Sequence, residues 1–180
     1  MTEPSLPEKI VALDEALAGA RIPHAFGGAL ALAYYAEPRA TIDVDVNIFA
    51  SPQEHPRVLS ALAPLGVEAP DRAAAEIERD GQSRWWWGRT PVDLFFAYDD
   101  LHDAMRDALA RVPFGDRRIP ILATEHLLVC KAIFDRPKDW IDIEQMLAAT
   151  DLDRAEVERW LERAVGPGDE RLKRFRELAD

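Results

Sequence analysis

Residues Gly27 to Phe49 read GGALALAYYAEPRATIDVDVNIF, and this stretch decides the fold. A Gly-Gly pair opens a short apolar helix, Pro38-Arg39 turns a corner, and an Asp-x-Asp follows on a strand. Strand side chains alternate with period two, so Asp43 and Asp45 share one face while Val44 and Val46 point into a core. Like charges placed side by side repel, and the pattern makes sense with a cation between them.

The two carboxylates supply oxygen ligands of the kind that hard Mg²⁺ prefers. Asp93, a lone acid within the hydrophobic run Pro-Val-Asp-Leu-Phe-Phe, is the candidate for a third carboxylate on a neighbouring strand. Three such acids can hold two metal ions about 3.5–4 Å apart, which clamp the attacking and leaving oxygens of an in-line displacement at phosphorus. Gly27 and Gly28 offer the complement, because glycine lets a backbone approach phosphate closely and amides at a helix start are free donors.

Composition sets the frame. The 180 residues are 48% hydrophobic and 31% charged, which suits a folded core of one domain or a core with a helical appendage. No apolar run is long enough to span a bilayer, and MTEPSLPEKI lacks the basic start and apolar stretch of a signal peptide, so the cytoplasm is the expected compartment and no membrane partner is expected. The lone cysteine, Cys130, sits in an apolar run and reads as a buried small hydrophobe. A net charge of −11 disfavours indiscriminate nucleic-acid binding, although basic residues cluster at 111–118 and 171–176.

The patterning predicts an α+β fold: a mixed sheet with flanking helices over residues 1–122, and a helical C-terminal part over 123–180 packed on it. Helices are expected over residues 7–20, 29–35, 52–62 and 101–110, then over 124–134, 137–149, 153–165 and 168–178. Strands are expected from Ala25 into the Gly-Gly turn, over 41–49 and over 117–121. Residues 67–97 read as strands joined by turns, with Asp80-Gly81 as a hairpin dipeptide, Trp85-Trp86-Trp87 alternating between core and surface, and a turn at 88–91.

Gly27-Gly28, then Arg39-Ala-Thr-Ile-Asp-Val-Asp, then Asp93 resemble the nucleotidyltransferase superfamily with the DNA polymerase β-like fold. More narrowly, the chain resembles the AbiEii-type nucleotidyltransferases of toxin–antitoxin and phage-defence systems. These pair a GG…PRxTxDxD block with a later helical K…RxKDxxD block, here Lys131 to Asp142. The resemblance implies Mg²⁺, an NTP substrate and transfer of a nucleoside monophosphate to an acceptor hydroxyl. It places the metal on Asp43, Asp45 and Asp93, and nucleotide contacts on Gly27, Gly28, Arg39, Thr41, Lys138, Asp139 and Asp142. Lys131 joins the catalytic set by touching the triphosphate or base. The acceptor is expected to be a tRNA 3′ end, as for a toxin, or a partner protein, as for an antitoxin-like adenylyltransferase. A non-catalytic nucleotide-binding module is the rival outside enzymes.

Blander readings stand beside these. Asp93 can instead pair with an arginine such as Arg89. Arg39 can bridge to a site acid or contact phosphate. Lys131 with Asp135, and Lys138 with Asp142, have the i,i+4 spacing of ordinary helix pairs. Pro137 starts a new helix inside the second block and leaves the aim of Lys138 open. His24 reads as structural, and His102 and His126 form no metal pattern.

Overall fold

The computed structural model describes residues 3–179, which form a seven-stranded mixed sheet clothed by helices. In chain order the elements are α1 (Leu6–Gly19), β1 (His24–Phe26), α2 (Gly28–Leu32), β2 (Val44–Ile48), α3 (His55–Leu62), β3 (Val67–Glu68), α4 (Ala73–Asp80), β4 (Gln82–Trp87), β5 (Thr90–Phe96), α5 (Asp100–Ala108), β6 (Ala110–Phe114), β7 (Arg117–Ile121), α6 (Thr124–Phe134), α7 (Pro137–Ala149), α8 (Arg154–Val165) and α9 (Glu170–Ala179). Strand order is β3-β4-β5-β2-β1-β7-β6, with β2 parallel to β5 and β1 parallel to β7. The α+β class expected from the patterning is the class observed.

Local chemistry explains the ends of these elements. A capping box between Ser5 and Glu8 starts α1, with Pro7 in its first turn, and Ile10, Leu13 and Leu17 line its buried face. Strand β4 alternates as the tryptophan triplet suggested: Trp85 is fully buried, Trp87 nearly so, and Trp86 is 44% exposed. The two-residue turn Gly88-Arg89 closes the β4–β5 hairpin, Gly88 taking φ +57°. One hydrophobic cluster runs from Ile10 on α1 through Val46 and Leu94 in the sheet to Phe175 on α9. Helix α6 joins it with Leu127, Leu128, Val129 and Ala132, and packs against α7 and α8.

Five expectations need correction. The strand expected over 41–49 is confined to Val44–Ile48, so Asp43 precedes it on extended chain. Within 67–97, residues 73–80 are a helix: AAAEIERD is rich in strong helix formers, and Gly81, at φ +68°, caps that helix instead of turning a hairpin. The helix expected to reach Ala110 ends at Ala108. Residues 110–114, read only as the start of a basic cluster, form β6 at the sheet edge, the position where Pro113 costs no ladder bond. Cys130 is only partly buried, with burial pushing its thiol up to about 12.

Candidate active site

The sheet register lines up the charged residues. Asp45 on β2 stands opposite Asp93 on β5, and Arg84 on β4 stands opposite Asp93 from the other side. Residues in register share a face, so Arg84, Asp93 and Asp45 form a row across three adjacent strands. Asp43 joins the row from the segment ahead of β2. The Arg84 guanidinium grips Asp93 with both arms, Nε to Oδ1 and Nη2 to Oδ2 at 2.7 Å each, and Nη2 reaches Asp43 Oδ2 at 3.5 Å. Thr41 fixes the approach of Asp43, its hydroxyl accepting the Asp43 amide at 3.2 Å.

Electrostatics singles out Asp45. Burial first, and then the neighbouring Asp93 and Asp43 charges, push its carboxyl up to about 6, with Arg136 and Lys131 pulling the other way. The Arg84 guanidinium is held above its ordinary value, chiefly by its hydrogen bonds to Asp93. Among the described residues no three His, Cys, Asp or Glu side chains are gathered into a ready-made metal cluster, and Arg84 is bonded among the acids. Asp43 and Asp45 nonetheless fit a hard divalent cation: Arg84 pairs with Asp93 and Asp43 and leaves the third carboxylate, Asp45, without a bonded cation and raised in pKa by its burial and its acid neighbours.

Glycine is required beside this row. Gly28 sits at φ +53°, and a Cβ there would run into the Asp45 carboxylate. The Gly27 amide donates to the Asp45 carbonyl at 3.0 Å, tying the turn to β2. A cleft of about 280 Å³ opens here, bordered by Gly28, Asp45, Tyr98, Lys131, Phe134 and Arg136. A second opening of about 410 Å³ adjoins it on the far side of Asp45 and contains Arg84 and Asp93.

The second sequence block forms a buried ion network above the row. Lys131 Nζ donates to Asp142 Oδ2 at 2.6 Å and lies 3.8 Å from Asp139 Oδ1; all three residues are buried. Arg39 reaches Asp142 Oδ2 at 3.3 Å, tying the corner after α2 to α7. Arg136 holds Asp139 through Nε at 2.5 Å and Nη2 at 3.1 Å.

The fold therefore brings Lys131, Asp139, Asp142 and Arg39 into one network and Asp43, Asp45 and Asp93 into the adjacent row, while Thr41 bonds the Asp43 backbone and borders a separate opening with Glu3, Lys9 and Arg89. Lys138 lies exposed on the first turn of α7, outside both. The suggested partners change. Asp93 pairs with Arg84, while Arg89 pairs with Glu3. Asp135 takes φ +56° and ends α6, so it bonds Trp140 Nε1 at 2.6 Å instead of Lys131. Lys131 takes Asp142, leaving no Lys138–Asp142 pair. Sequence reasoning missed Arg84 and gave Arg136, the arginine of the second block, no role; the hairpin register around Gly88-Arg89 is the signal that could have found Arg84. His24 is held structurally, bonding the Ile22 carbonyl at 2.9 Å and Asp14 at 3.0 Å.

Two acids in register on adjacent strands, a third just ahead of β2 and paired glycines at their edge make up the candidate site. Residues 11–179 match the family described as "Nucleotidyl transferase AbiEii toxin, Type IV TA system", and the chain belongs to this family of nucleotidyltransferase enzymes. No curated protein matches the chain significantly. Solved structures similar in fold include the antibiotic-resistance factor ANT(2'')-Ia, at 15% identity and TM-score 0.65 over 91% of this chain and 92% of that one. The lincosamide antibiotic adenylyltransferase LnuA aligns at 15% identity and TM-score 0.58, over 83% of this chain and all of that one. A nucleotidyltransferase-like protein of H. pylori aligns at 20% identity and TM-score 0.50, over 99% of this chain and 91% of that one. Among the described residues no helix is long and apolar enough to cross a membrane.

Proposed function

We propose that this enzyme transfers a nucleoside monophosphate from an NTP to the 3′-terminal hydroxyl of tRNA, using Mg²⁺ held by Asp43 and Asp45, with the N-terminal residues 1–122 supplying the acids and residues 123–180 closing over the nucleotide. The observation that carries it is the row of Asp45 and Asp93 in register with Asp43 beside it, one member of which ionises against its burial and then its neighbours. The bound ion would supply positive charge at the phosphate oxygens.

The chain's own residues do the positioning. Gly27 and Gly28 let the backbone come close to the triphosphate, and Lys131 offers its charge to the same group from the opposite wall of the cleft. Arg39, Asp139 and Asp142 hold Lys131 in place. Asp93 sits across the row from Asp45, where it takes the proton of the acceptor hydroxyl. The acceptor oxygen forms its bond to the α-phosphorus as the bond from that phosphorus to the bridging oxygen breaks. Pyrophosphate leaves with the electron pair, and the proton on Asp93 passes to solvent.

Membership of a family described as a toxin of type IV toxin–antitoxin systems supports the toxin reading, and with it a cognate antitoxin as partner. The net charge of −11 favours a second reading, adenylylation of a partner protein. Incubation of the enzyme with each α-³²P-labelled NTP and a bacterial lysate separates the two. Label that RNase removes and protease spares supports tRNA; label with the opposite sensitivities supports the protein acceptor. Label in small molecules alone would move the assignment toward the antibiotic acceptors named for ANT(2'')-Ia and LnuA.

A further inference from the structure

Arg84 lies between two carboxylates, where a two-metal site would need a cation. It lies on β4 in direct register with Asp93, and the strict alternation of that strand, with Ser83, Trp85 and Trp87 inward, fixes it on the acid-bearing face. Both Asp93 oxygens are engaged by its fork at 2.7 Å. Its third contact, to Asp43 at 3.5 Å, places the guanidinium between two of the three acids. The other arginines bordering this opening have carboxylates of their own: Arg79 holds Asp80, Arg72 holds Glu76 and Arg136 holds Asp139. Arg84 is thus, among the described arginines there, the one ion-paired with the acid row.

A bidentate arginine–carboxylate pair is among the stronger and more directional side-chain interactions, with both carboxylate oxygens committed to it. An ion that bridged Asp93 to Asp43 or Asp45 would have to share oxygens already held by that fork and find room beside a retained positive charge. An ion on Asp43 and Asp45 alone meets neither obstacle, because Asp45 makes no bond to Arg84 and Asp43 makes only the long one.

We infer that Arg84 stands in for the second divalent cation, so that this enzyme binds a single metal ion on Asp43 and Asp45 while the guanidinium holds Asp93. The inference rests on the metal-dependent reading of the same site. It makes Arg84 a positioning residue: it fixes the Asp93 carboxylate on the acceptor side and supplies fixed positive charge where a two-metal site would use an exchangeable ion.

Counting bound metal tests this without turnover. Protein-bound Mn²⁺ is measured by equilibrium dialysis, with the free ion read by EPR, at saturating levels of each of the four α,β-methylene nucleoside triphosphates. The wild type is expected to retain one Mn²⁺ per chain, Arg84→Met two, and Asp93→Asn one. Two ions on the wild type, or only one on Arg84→Met, would overturn the inference and leave the metal-dependent reading intact. Should Arg84→Met fail to fold, wild type and Asp93→Asn still decide: a two-metal site falls from two to one, whereas the single-ion site stays at one. No Mn²⁺ on the wild type with any analogue would overturn the metal-dependent reading itself and the inference with it.

Discussion

Gly28 and Asp45 are fitted to each other: Gly28 turns at φ +53°, and the space a side chain would need is filled by the Asp45 carboxylate. Alanine at Gly28 meets both obstacles, a backbone conformation costing on the order of 1 kcal/mol and a collision with the acid. Gly28→Ala is expected to lower nucleotidyl transfer by about 100-fold or more, because a displacement of order 1 Å at a reacting centre costs that much. Gly27→Ala crowds the Asn47 side-chain amide at 3.0 Å, with Leu122 at 3.4 Å and Asp45 Cβ at 3.9 Å in ordinary contact, and is expected to lose far less. Steady-state kinetics of the two variants checks the contrast.

Asp45 trades stability for ionisation. Its carboxyl is pushed up to about 6 in the folded chain against about 3.9 unfolded, so between those values the folded state holds a proton that the unfolded state has released. Stability of the metal-free protein therefore falls as pH rises from about 4 to about 6, by at most about 3 kcal/mol. Asp45→Asn is expected to raise the Tm in EDTA at pH 8 by roughly 3–6 °C while abolishing transfer, with an effect that vanishes near pH 4. Melts across that pH range check the sign.

Lys131 and Asp142 are buried partners, and removing either leaves the other only a longer contact, Asp142 to Arg39 at 3.3 Å or Lys131 to Asp139 at 3.8 Å. Lys131→Met and Asp142→Leu are each expected to cost about 3–5 kcal/mol. The double variant is expected to recover much of that loss, since a buried pair replaced by apolar groups is often neutral, yet to remain inactive. Denaturant unfolding of the four proteins measures the coupling.

His126 gives the fold an acid sensitivity apart from the site. It is buried on α6 with neither ring nitrogen hydrogen-bonded, and its edge faces Trp160 on α8. Burial holds its pKa down against the opposing pull of Glu156, 3.8 Å away, and Glu125. The unfolded chain therefore takes up the proton first, and stability is lost as pH falls below about 6.5. His126→Phe is expected to lessen the drop in Tm between pH 7.5 and pH 5.5, as scanning calorimetry can measure.

Much of this was legible in the chain because it rests on local pattern. Period-two alternation put Asp43 and Asp45 on one face, and helical spacing placed α6 and α7 at the residues where they occur. The misses concern partners distant in sequence. Arg89 was the near neighbour of Asp93, but hairpin register across Gly88-Arg89 selects Arg84. The Lys131–Asp135 spacing assumed a continuous helix, and Asp135 leaves it through a left-handed turn. Lys9 gave no sign of being buried: on the inner face of α1 it donates to the Trp87 carbonyl and the Thr90 hydroxyl, both at 2.8 Å, contacts that only the β4–β5 hairpin supplies.

The proposed transfer of nucleotide by the acid row depends on a divalent ion. The direct measurement is label moved from each α-³²P-labelled NTP to acceptor by wild type and by Asp45→Asn, with Mg²⁺ and with EDTA. The account predicts labelling by wild type with Mg²⁺, and loss of at least about 100-fold with EDTA or with Asp45→Asn. Undiminished labelling by Asp45→Asn would contradict it. So would a wild type that binds Mg²⁺–NTP tightly yet labels nothing with any of the four nucleotides, the behaviour of a binding module.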